Sequence, residues 1–419
     1  MTGHDLTSPR KILLVGAADT KGDELLFLRD EIARAGHVPL IMDVGVLHDP
    51  QFTPDFDHDQ VASASGMSRA EIIGLGSENL AMQKMAVGAA SLAAALAREG
   101  RIHGVLAIGG TMATDLALDV MAPLPLGLPK VIVSTVAFSH LIPPERISPD
   151  LIMILWAGGL WGLNPLSTAV LRQAAGAVTG AAIASPEAPR WDRPAVGISS
   201  FGSSVCKYLS FLKPSLEQRG YEVIAFHTTG MGGRALEALV AQRRLVAVLD
   251  LCLVEIGNNE LGSDVSAGDA RLETAGRLGV PQIVAPAGLG IINVPAWKPA
   301  PRGFEDRPLY THNRLIGALP VNDLEKERIG RTIRHKLNKA SSPTAFVMPM
   351  GGIDELDRPG KPFHNPAGLA TLAAAVKDGL RPDIPFIELS AHVNDREFAD
   401  AVLKIFDQWV AAGHIPRPS

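Results

Sequence analysis

Apolar runs and helix-like periodicities alternate along this chain. An apolar run at residues 11–17 is followed by a polar turn, and apolar side chains then recur at Leu25, Leu28 and Ile32 with the spacing of one helix face. A second apolar run occupies residues 38–44. This order predicts a strand, a helix and a second, parallel strand joined by a right-handed crossover.

The same order recurs further along the chain. A helix is predicted at residues 82–97 and strands at 104–108 and 131–134, and the strand–helix order restarts at residue 195 after a proline-rich polar stretch. The tail from residue 325 supplies the elements expected to complete a second sheet. We therefore predict an α/β fold of two Rossmann-like lobes with mainly parallel sheets and a ligand cleft between them. The predicted domains are residues 1–184 and 194–419, with residues 185–193 as the linker.

Composition narrows the classes of partner. The 419 residues are 47% hydrophobic and 20% charged, and the net charge of -5 offers no basic field for a nucleic acid. The apolar stretch 151–163 is shorter than the roughly 20 residues of a membrane helix, so it is expected to be buried interior, with no membrane partner. The N-terminus lacks a signal-peptide pattern, which predicts a cytoplasmic protein.

The turn after the first strand is the first candidate site. Asp19, Thr20 and Lys21 lie where a strand leads into a helix, so backbone amides and the Lys21 charge would favour a phosphate. In the alternative interpretation Asp19 or Thr20 caps the helix and Lys21 is solvated.

A second loop of this kind follows the strand at 104–108. Gly109 and Gly110 would let the backbone approach a ligand, and Thr111 adds a hydroxyl, although the glycines could also serve only a tight turn. Asp115 is expected either to cap the next helix or to face a metal. Together the two loops predict a cofactor-binding site.

In the second lobe, the loop from His227 to Arg234 combines a titratable ring, flexible backbone and a guanidinium group. His227 is a candidate general acid or base, and Arg234 a candidate clamp for a carboxylate or phosphate. Substrate contacts are predicted for the glycines between them, which are Gly230, Gly232 and Gly233. The alternative is a satisfied core histidine and an Arg234–Glu237 surface pair.

Two acidic residues flank the next buried run. Asp250 and Glu255 are candidates for shared proton transfer or for binding magnesium, with a solvated loop and a structural Asp as the alternative. Glu255 is the third predicted catalytic residue. The turn containing Ser266 and Gly268 is a predicted anion contact, or a plain helix cap. No histidine spacing matches a zinc site, so no structural zinc is predicted and metal ligands stay unassigned. No nucleophile elbow is present, so Ser/His/Asp catalysis is not supported.

These loops together resemble the Tm-one-like ATP-binding family, a group of uncharacterised bacterial proteins related to the amino-terminal part of a tomato virus-resistance protein. The matching stretches are residues 16–28, 102–110, 131–135, 220–238, 250–271, 363–366 and 388–395. The resemblance implies two α/β domains, self-association and an ATP site in the Lys21 and Gly109 loops, and it implies no known reaction.

This chain departs from the family pattern in the first lobe. Residues 109–114 read Gly-Gly-Thr-Met-Ala-Thr where the family has a longer Gly-Gly-Ser-Gly-Gly-Thr loop, so two glycines are missing. The second-lobe features, including His227, Arg234 and Glu255, stand where the pattern expects them.

The leading hypothesis is an ATP-binding enzyme of small-molecule metabolism. Lys21 and Thr111 would contact the phosphates, with Mg²⁺ as the candidate metal, while His227, Arg234 and Glu255 would face a small anionic substrate. One alternative is a nucleotide-independent hydrolase or lyase that cleaves a C–C or acyl bond of an oxo acid. Another is a non-catalytic, nucleotide-responsive sensor or interaction protein. A homo-oligomer is expected in each case.

Overall fold

The computed structural model describes residues 8–185 and 192–418. They form two compact units, unit 1 (Met1–Arg190) and unit 2 (Trp191–Ser419). Most of the predicted linker, 185–193, lies outside the described residues.

Unit 1 is built around a five-stranded parallel sheet. Its elements are β1 (Lys11–Gly16), α1 (Gly22–Arg34), β2 (Val38–Asp43), α2 (His58–Ala64), α3 (Arg69–Ile73), α4 (Glu78–Arg98), β3 (Gly104–Gly109), α5 (Thr111–Met121), β4 (Lys130–Ser134), β5 (Leu151–Leu155) and α6 (Pro165–Ala184). The strand order is β2-β1-β3-β4-β5, and all neighbouring strands run parallel. The predicted Rossmann-like topology of the first lobe is confirmed.

Alternate residues of each strand serve two separate cores. Leu13 and Val15 of β1 pack with α4 and α5, whereas Ile12 and Leu14 pack with α1 and α6 on the other face. The helix after β1 and the helix after β3 therefore lie on opposite faces, although the two strands are neighbours. Such a switch point opens a crevice at the carboxyl ends of the strands, where doubly wound folds bind ligands.

The stretch 151–163 is not the buried interior that its composition predicted. Its first part is the edge strand β5, in which Ile152 and Leu155 are 40% and 47% exposed, and Trp161 further on is 89% exposed. The prediction was wrong because an edge strand has a neighbour on one side only. Within the described residues one helix, α4, is long and apolar enough to cross a membrane by length and composition alone. It packs against α5 in the core of unit 1, as the core helix of a globular protein does.

Unit 2 repeats and extends this architecture. Its elements are β6 (Ala195–Ser200), α7 (Leu209–Gln218), β7 (Glu222–His227), α8 (Met231–Ala241), β8 (Ala247–Cys252), α9 (Val254–Glu260), α10 (Thr274–Leu278), β9 (Gln282–Ala287), β10 (Ile291–Pro295), β11 (Tyr310–Thr311), β12 (Ile316–Pro320), α11 (Asp323–Asn338), β13 (Thr344–Pro349), α12 (Pro366–Lys377), β14 (Phe386–Leu389) and α13 (Arg396–Ala411). The six-stranded parallel sheet has the order β14-β13-β9-β8-β6-β7. Read from β7, this order matches that of unit 1 with one strand added.

A small antiparallel sheet interrupts unit 2 between β9 and α11. It has the order β10-β12-β11, with Ile291 opposite Pro320. The sequence did not indicate this sheet, because β10 and β11 are separated by a long irregular segment containing several prolines. The two tail strands, β13 and β14, complete the large sheet as predicted.

Candidate functional site

The two predicted phosphate loops of unit 1 follow neighbouring strands. β1 and β3 pair directly, so the Lys21 loop and the Gly109 loop emerge side by side, at a strand spacing of about 4.8 Å. They flank the switch point. The sequence predicted two such loops at strand ends, and the sheet order shows that their strands are neighbours.

The Lys21 loop has no side-chain cap for α1. Asp19 Oδ2 instead accepts hydrogen bonds from the amides of Leu47 (2.9 Å) and His48 (3.4 Å), and Thr20 Oγ1 donates to the carbonyl of Ala17 (3.5 Å). The capping alternative is therefore wrong, because both side chains hold the loop in place rather than the helix terminus. Cofactor contacts by Asp19 and Thr20 stay predictions.

The Gly109 loop leads into the open N-terminus of α5. A Cβ on Gly109 would lie 2.1 Å from the Ala113 Cβ, so glycine is needed there for packing. A Cβ on Gly110 would find its nearest neighbour, Thr135 Oγ1, at 3.8 Å, so no contact within the described residues requires glycine at that position. No side chain caps α5, Thr111 is exposed, and the first turn carries no acidic residue.

Lys21 ends the loop that follows β1, the strand next to β3. Its Nζ donates to the carbonyl of Thr20 (3.1 Å) and lies 5.1 Å from the centroid of the Trp161 ring. The first turn of α1 carries the acidic Asp23 and Glu24, so the α1 terminus is less favourable to an anion than that of α5. Of these two helix starts, that of α5 is therefore the more favourable to an anion.

Asp115 neither caps α5 nor faces a metal. It forms an ion pair with Arg146, whose guanidinium also contacts Asp119 (2.7 Å). Both predicted roles were wrong, because Arg146 lies 31 residues away in sequence and only the fold brings it to α5.

In unit 2, His227 ends β7 on an exposed position. The amide of Gly202 donates to His227 Nδ1 (3.3 Å), and the Phe201 ring stacks on the imidazole at 5.5 Å with an interplanar angle of 4°. Nδ1 is therefore an acceptor, which places the proton of the neutral ring on Nε2. Partial burial lowers the pKa of His227 below its usual value. The core-histidine alternative is wrong, since the side chain faces solvent.

Glu255 occupies the N-terminus of α8. Its Oε1 accepts from the amides of Gly230 (2.6 Å) and Gly233 (3.1 Å), so the protein's own carboxylate fills the anion position predicted there for substrate. Gly233 must be a glycine, because a Cβ would lie 1.9 Å from Glu255 Oε2, and one on Gly232 would lie 1.8 Å from the His227 carbonyl. The substrate roles of these glycines stay predictions, and their close packing already explains the residue type.

A buried arginine that the sequence did not single out holds this arrangement together. The Arg271 side chain is fully buried and donates from Nε to Glu255 Oε2 (2.9 Å) and from Nη2 to Asp250 Oδ1 (2.6 Å). Burial raises the pKa of Glu255, and the guanidinium opposes that rise. Arg271 thus takes the place between the two carboxylates that the sequence offered to magnesium. The signal was an arginine following two carboxylates, one within the buried strand β8 and one at the start of the next helix.

Arg234 and Ser266 contact each other. Arg234 Nη2 donates to the carbonyl of Ser266 (2.5 Å), while Ser266 Oγ accepts from the amide of Gly268 (2.9 Å) and donates to Asn259 Oδ1 (2.7 Å). The Arg234–Glu237 alternative is wrong, because Glu237 instead accepts from the amides of Leu272 and Thr274. The fold therefore brings Arg234, Ser266 and Gly268 together, through contacts within the chain.

Residues 8–185 and 192–418 are the part of the chain that the structure describes. They contain no group of three or more His, Cys, Asp or Glu side chains placed to hold a metal ion. A surface groove of about 850 Å³ in unit 2 runs between α11 and residues 269–273, and none of the predicted site residues lines it.

The strand orders and the switch-point loops define a Rossmann-like α/β protein of two doubly wound units. The chain belongs to the uncharacterised protein family UPF0261, whose N-terminal domain matches residues 10–187 and whose C-terminal domain matches residues 193–410. A UPF0261 protein of Brucella suis biovar 1 is 49% identical over 100% of this chain and 99% of its own length. One of Clostridium tetani is 34% identical over 94% of this chain and 98% of its own length.

The chain is also similar to the tomato virus-resistance protein. The ToMV resistance protein Tm-1(GCR237) of Solanum lycopersicum is 28% identical over 95% of this chain, which spans 55% of that protein. Among solved structures, the Streptomyces glycosyltransferase SsfS6 has 15% identity over 66% of this chain and 82% of its own, with a TM-score of 0.18. The Neisseria meningitidis UDP-GlcNAc 2-epimerase has 11% identity over 65% and 82%, with a TM-score of 0.22. These structural likenesses are too low to bear on function.

Proposed function

We propose that the chain is an ATP-binding enzyme of small-molecule metabolism whose nucleotide phosphates lie at the switch point of unit 1. The observation that carries the proposal is the open N-terminus of α5, where Gly110 has no neighbour that demands glycine. A glycine without a packing reason at a helix N-terminus is what close approach of a phosphate to the backbone requires.

A comparison of helix starts in the two units supports a phosphate site in unit 1. The start of α8 in unit 2 is occupied by Glu255, whereas no side chain of the described residues occupies the start of α5. Amides of the first helical turn and the Lys21 ammonium together supply the donors and the positive charge that phosphate oxygens need. Mg²⁺ accompanying the phosphates would need few protein ligands.

Calorimetric titration of the whole protein with MgATP tests the proposal. Lys21→Ala is expected to weaken binding about 10- to 100-fold, the usual effect of losing a hydrogen bond to a charged group. Gly110→Ala is expected to weaken it by a similar factor without unfolding, since its Cβ meets no atom closer than 3.8 Å.

Two matched controls accompany these variants. Lys84→Ala removes an exposed lysine of α4, and Gly180→Ala adds a methyl group on α6 where nothing lies within 4 Å. Both should bind MgATP like the wild type. Absence of heat and of thermal stabilisation at millimolar MgATP would overturn the proposal.

A second candidate is a nucleotide-independent hydrolase or lyase acting on an oxo acid in unit 2. The favouring observation is His227, which is exposed at a strand end with Nδ1 fixed by Gly202 and Nε2 left to exchange protons. Turnover of an oxo acid without nucleotide would favour this candidate. Nucleotide binding without any turnover would favour the non-catalytic sensor.

A further inference from the structure

Trp161 is the most exposed large hydrophobic side chain described in unit 1, at 89%. It belongs to the segment 156–164, which joins the edge strand β5 to α6. Through Gly162 this segment contacts Glu24 at the start of α1. The segment therefore runs from the carboxyl end of β5 to that of β1, where the Lys21 loop lies.

The backbone around Trp161 is held by its neighbours. Leu160 is buried in the same core cluster as Ala18 and Ile108, which lie next to the two phosphate loops. The amide of Gly162 donates to Glu24 Oε1 (3.0 Å), and Trp156 Nε1 donates to the carbonyl of Gly159 (3.2 Å). A well-anchored backbone thus presents an indole to solvent, where it adds nothing to the core.

The Lys21 ammonium of the proposed phosphate site lies over the Trp161 ring. Lys21 Nζ lies 5.1 Å from its centroid, a distance at which an ammonium is attracted to the face of the indole. When a phosphate draws Lys21 away, that face becomes available to another planar group. Bases stack on aromatic rings because every base has a π-face.

We propose that Trp161 is the stacking platform for the base of the nucleotide whose phosphates lie at Gly110 and Lys21. This inference rests on the proposed function and adds the part of the ligand that the phosphate loops do not contact. It assigns to the segment 156–164 a role in recognising a nucleoside rather than a phosphate alone.

Titrations of the whole protein with MgATP and with magnesium tripolyphosphate test this inference, because tripolyphosphate carries the phosphates without a base. Trp161→Ala is expected to weaken MgATP binding about 5- to 100-fold and to leave tripolyphosphate binding unchanged. Trp161→Phe keeps an aromatic ring and should retain most of the affinity for ATP.

Trp297 provides the matched control. It is 67% exposed and lies under Lys298 Nζ at 5.2 Å, and it belongs to unit 2. Trp297→Ala should therefore bind MgATP like the wild type.

The possible results distinguish a failure of the Trp161 stacking platform from a failure of the proposed nucleotide site. Equal MgATP binding by Trp161→Ala and wild type would overturn the stacking platform and leave the nucleotide site standing. Equal weakening of MgATP and tripolyphosphate would also overturn it, by showing a general loss of the phosphate site. If neither compound binds to the wild type, the proposed function and this inference both fail.

Discussion

His227 projects from the carboxyl end of β7, and its surroundings favour the neutral imidazole. Partial burial lowers the pKa of His227 below 6.5, and the Gly202 amide donates to Nδ1, which cannot accept once it is protonated. The neutral ring is therefore the form present at pH 7. Because Nδ1 accepts from the Gly202 amide, the outward Nε2 of the neutral ring carries the proton, which is the arrangement of a general acid.

The pH dependence of His227 follows with a definite sign. Because the folded pKa lies below the unfolded value of 6.5, the unfolded chain takes up the proton first, and stability falls as pH drops from 6.5 through the folded pKa. An NMR titration should give His227 a midpoint below 6.5, with the resonance assigned from its loss in His227→Gln. A midpoint at or above 6.5 would contradict the environment described for this ring.

At the residue scale, the sequence predicted which residues lie at strand ends better than which residues they contact. It placed His227 and Glu255 at strand ends because hydrophobic periodicity marks where strands stop. It did not predict that Glu255 binds the amides of Gly230 and Gly233, since those hydrogen bonds join residues more than 20 positions apart.

At the scale of elements, Arg271 joins three parts of unit 2. Its guanidinium contacts Asp250 on β8 and Glu255 on α9, and it lies 3.5 Å from Glu237 on α8. Through Glu255 it also supports the glycine-rich start of α8. The start of α8, where Arg234 lies, therefore depends on the buried Arg271 guanidinium.

Arg271→Met is expected to destabilise the protein by about 3–5 kcal/mol, because it leaves Asp250 and Glu255 buried without a positive partner. Denaturant unfolding measures this loss. Arg277→Met is the matched control, since Arg277 is exposed on the neighbouring α10 and its replacement should change stability by less than about 0.5 kcal/mol. A similarly small loss for Arg271→Met would show that the buried cluster is not held together by this residue.

Most element types were predictable, and two exceptions have clear causes. The predicted strand at 104–108 and helix at 82–97 differ from β3 and α4 by a few residues at most, because buried parallel strands and core helices have strong apolar patterns. The sheet of β10 to β12 and the exposure of β5 depend instead on long-range pairing and on position within a sheet.

At the scale of the whole molecule, two units share one topology and differ at their helix termini. Each has its own cores on both faces of its sheet. In unit 1 the starts of α1 and α5 have no side-chain cap, whereas in unit 2 the start of α8 is filled by Glu255. The nucleotide site proposed above belongs to unit 1, where these helix starts are uncapped.

A fragment of residues 1–185 should therefore unfold cooperatively and bind MgATP within about threefold of the whole chain, because Lys21, Gly110 and Trp161 all belong to unit 1. Chemical unfolding and calorimetry measure the two properties. Residues 192–419 should show no MgATP binding. A folded 1–185 fragment that does not bind, beside a whole chain that does, would show that the nucleotide also needs unit 2.

The sequence by itself determined the α/β class, the two-lobed order of elements and the loops at strand ends, because these follow from local periodicity and turn chemistry. It also carried the resemblance to bacterial relatives of the tomato protein, and the comparisons show the family UPF0261. The order of strands in each sheet and the partners of each charged group were decided only by the tertiary structure. Asp115 with Arg146, and Asp250 and Glu255 with Arg271, meet because the chain folds back on itself, and no local pattern specifies which distant side chain will neutralise a buried charge.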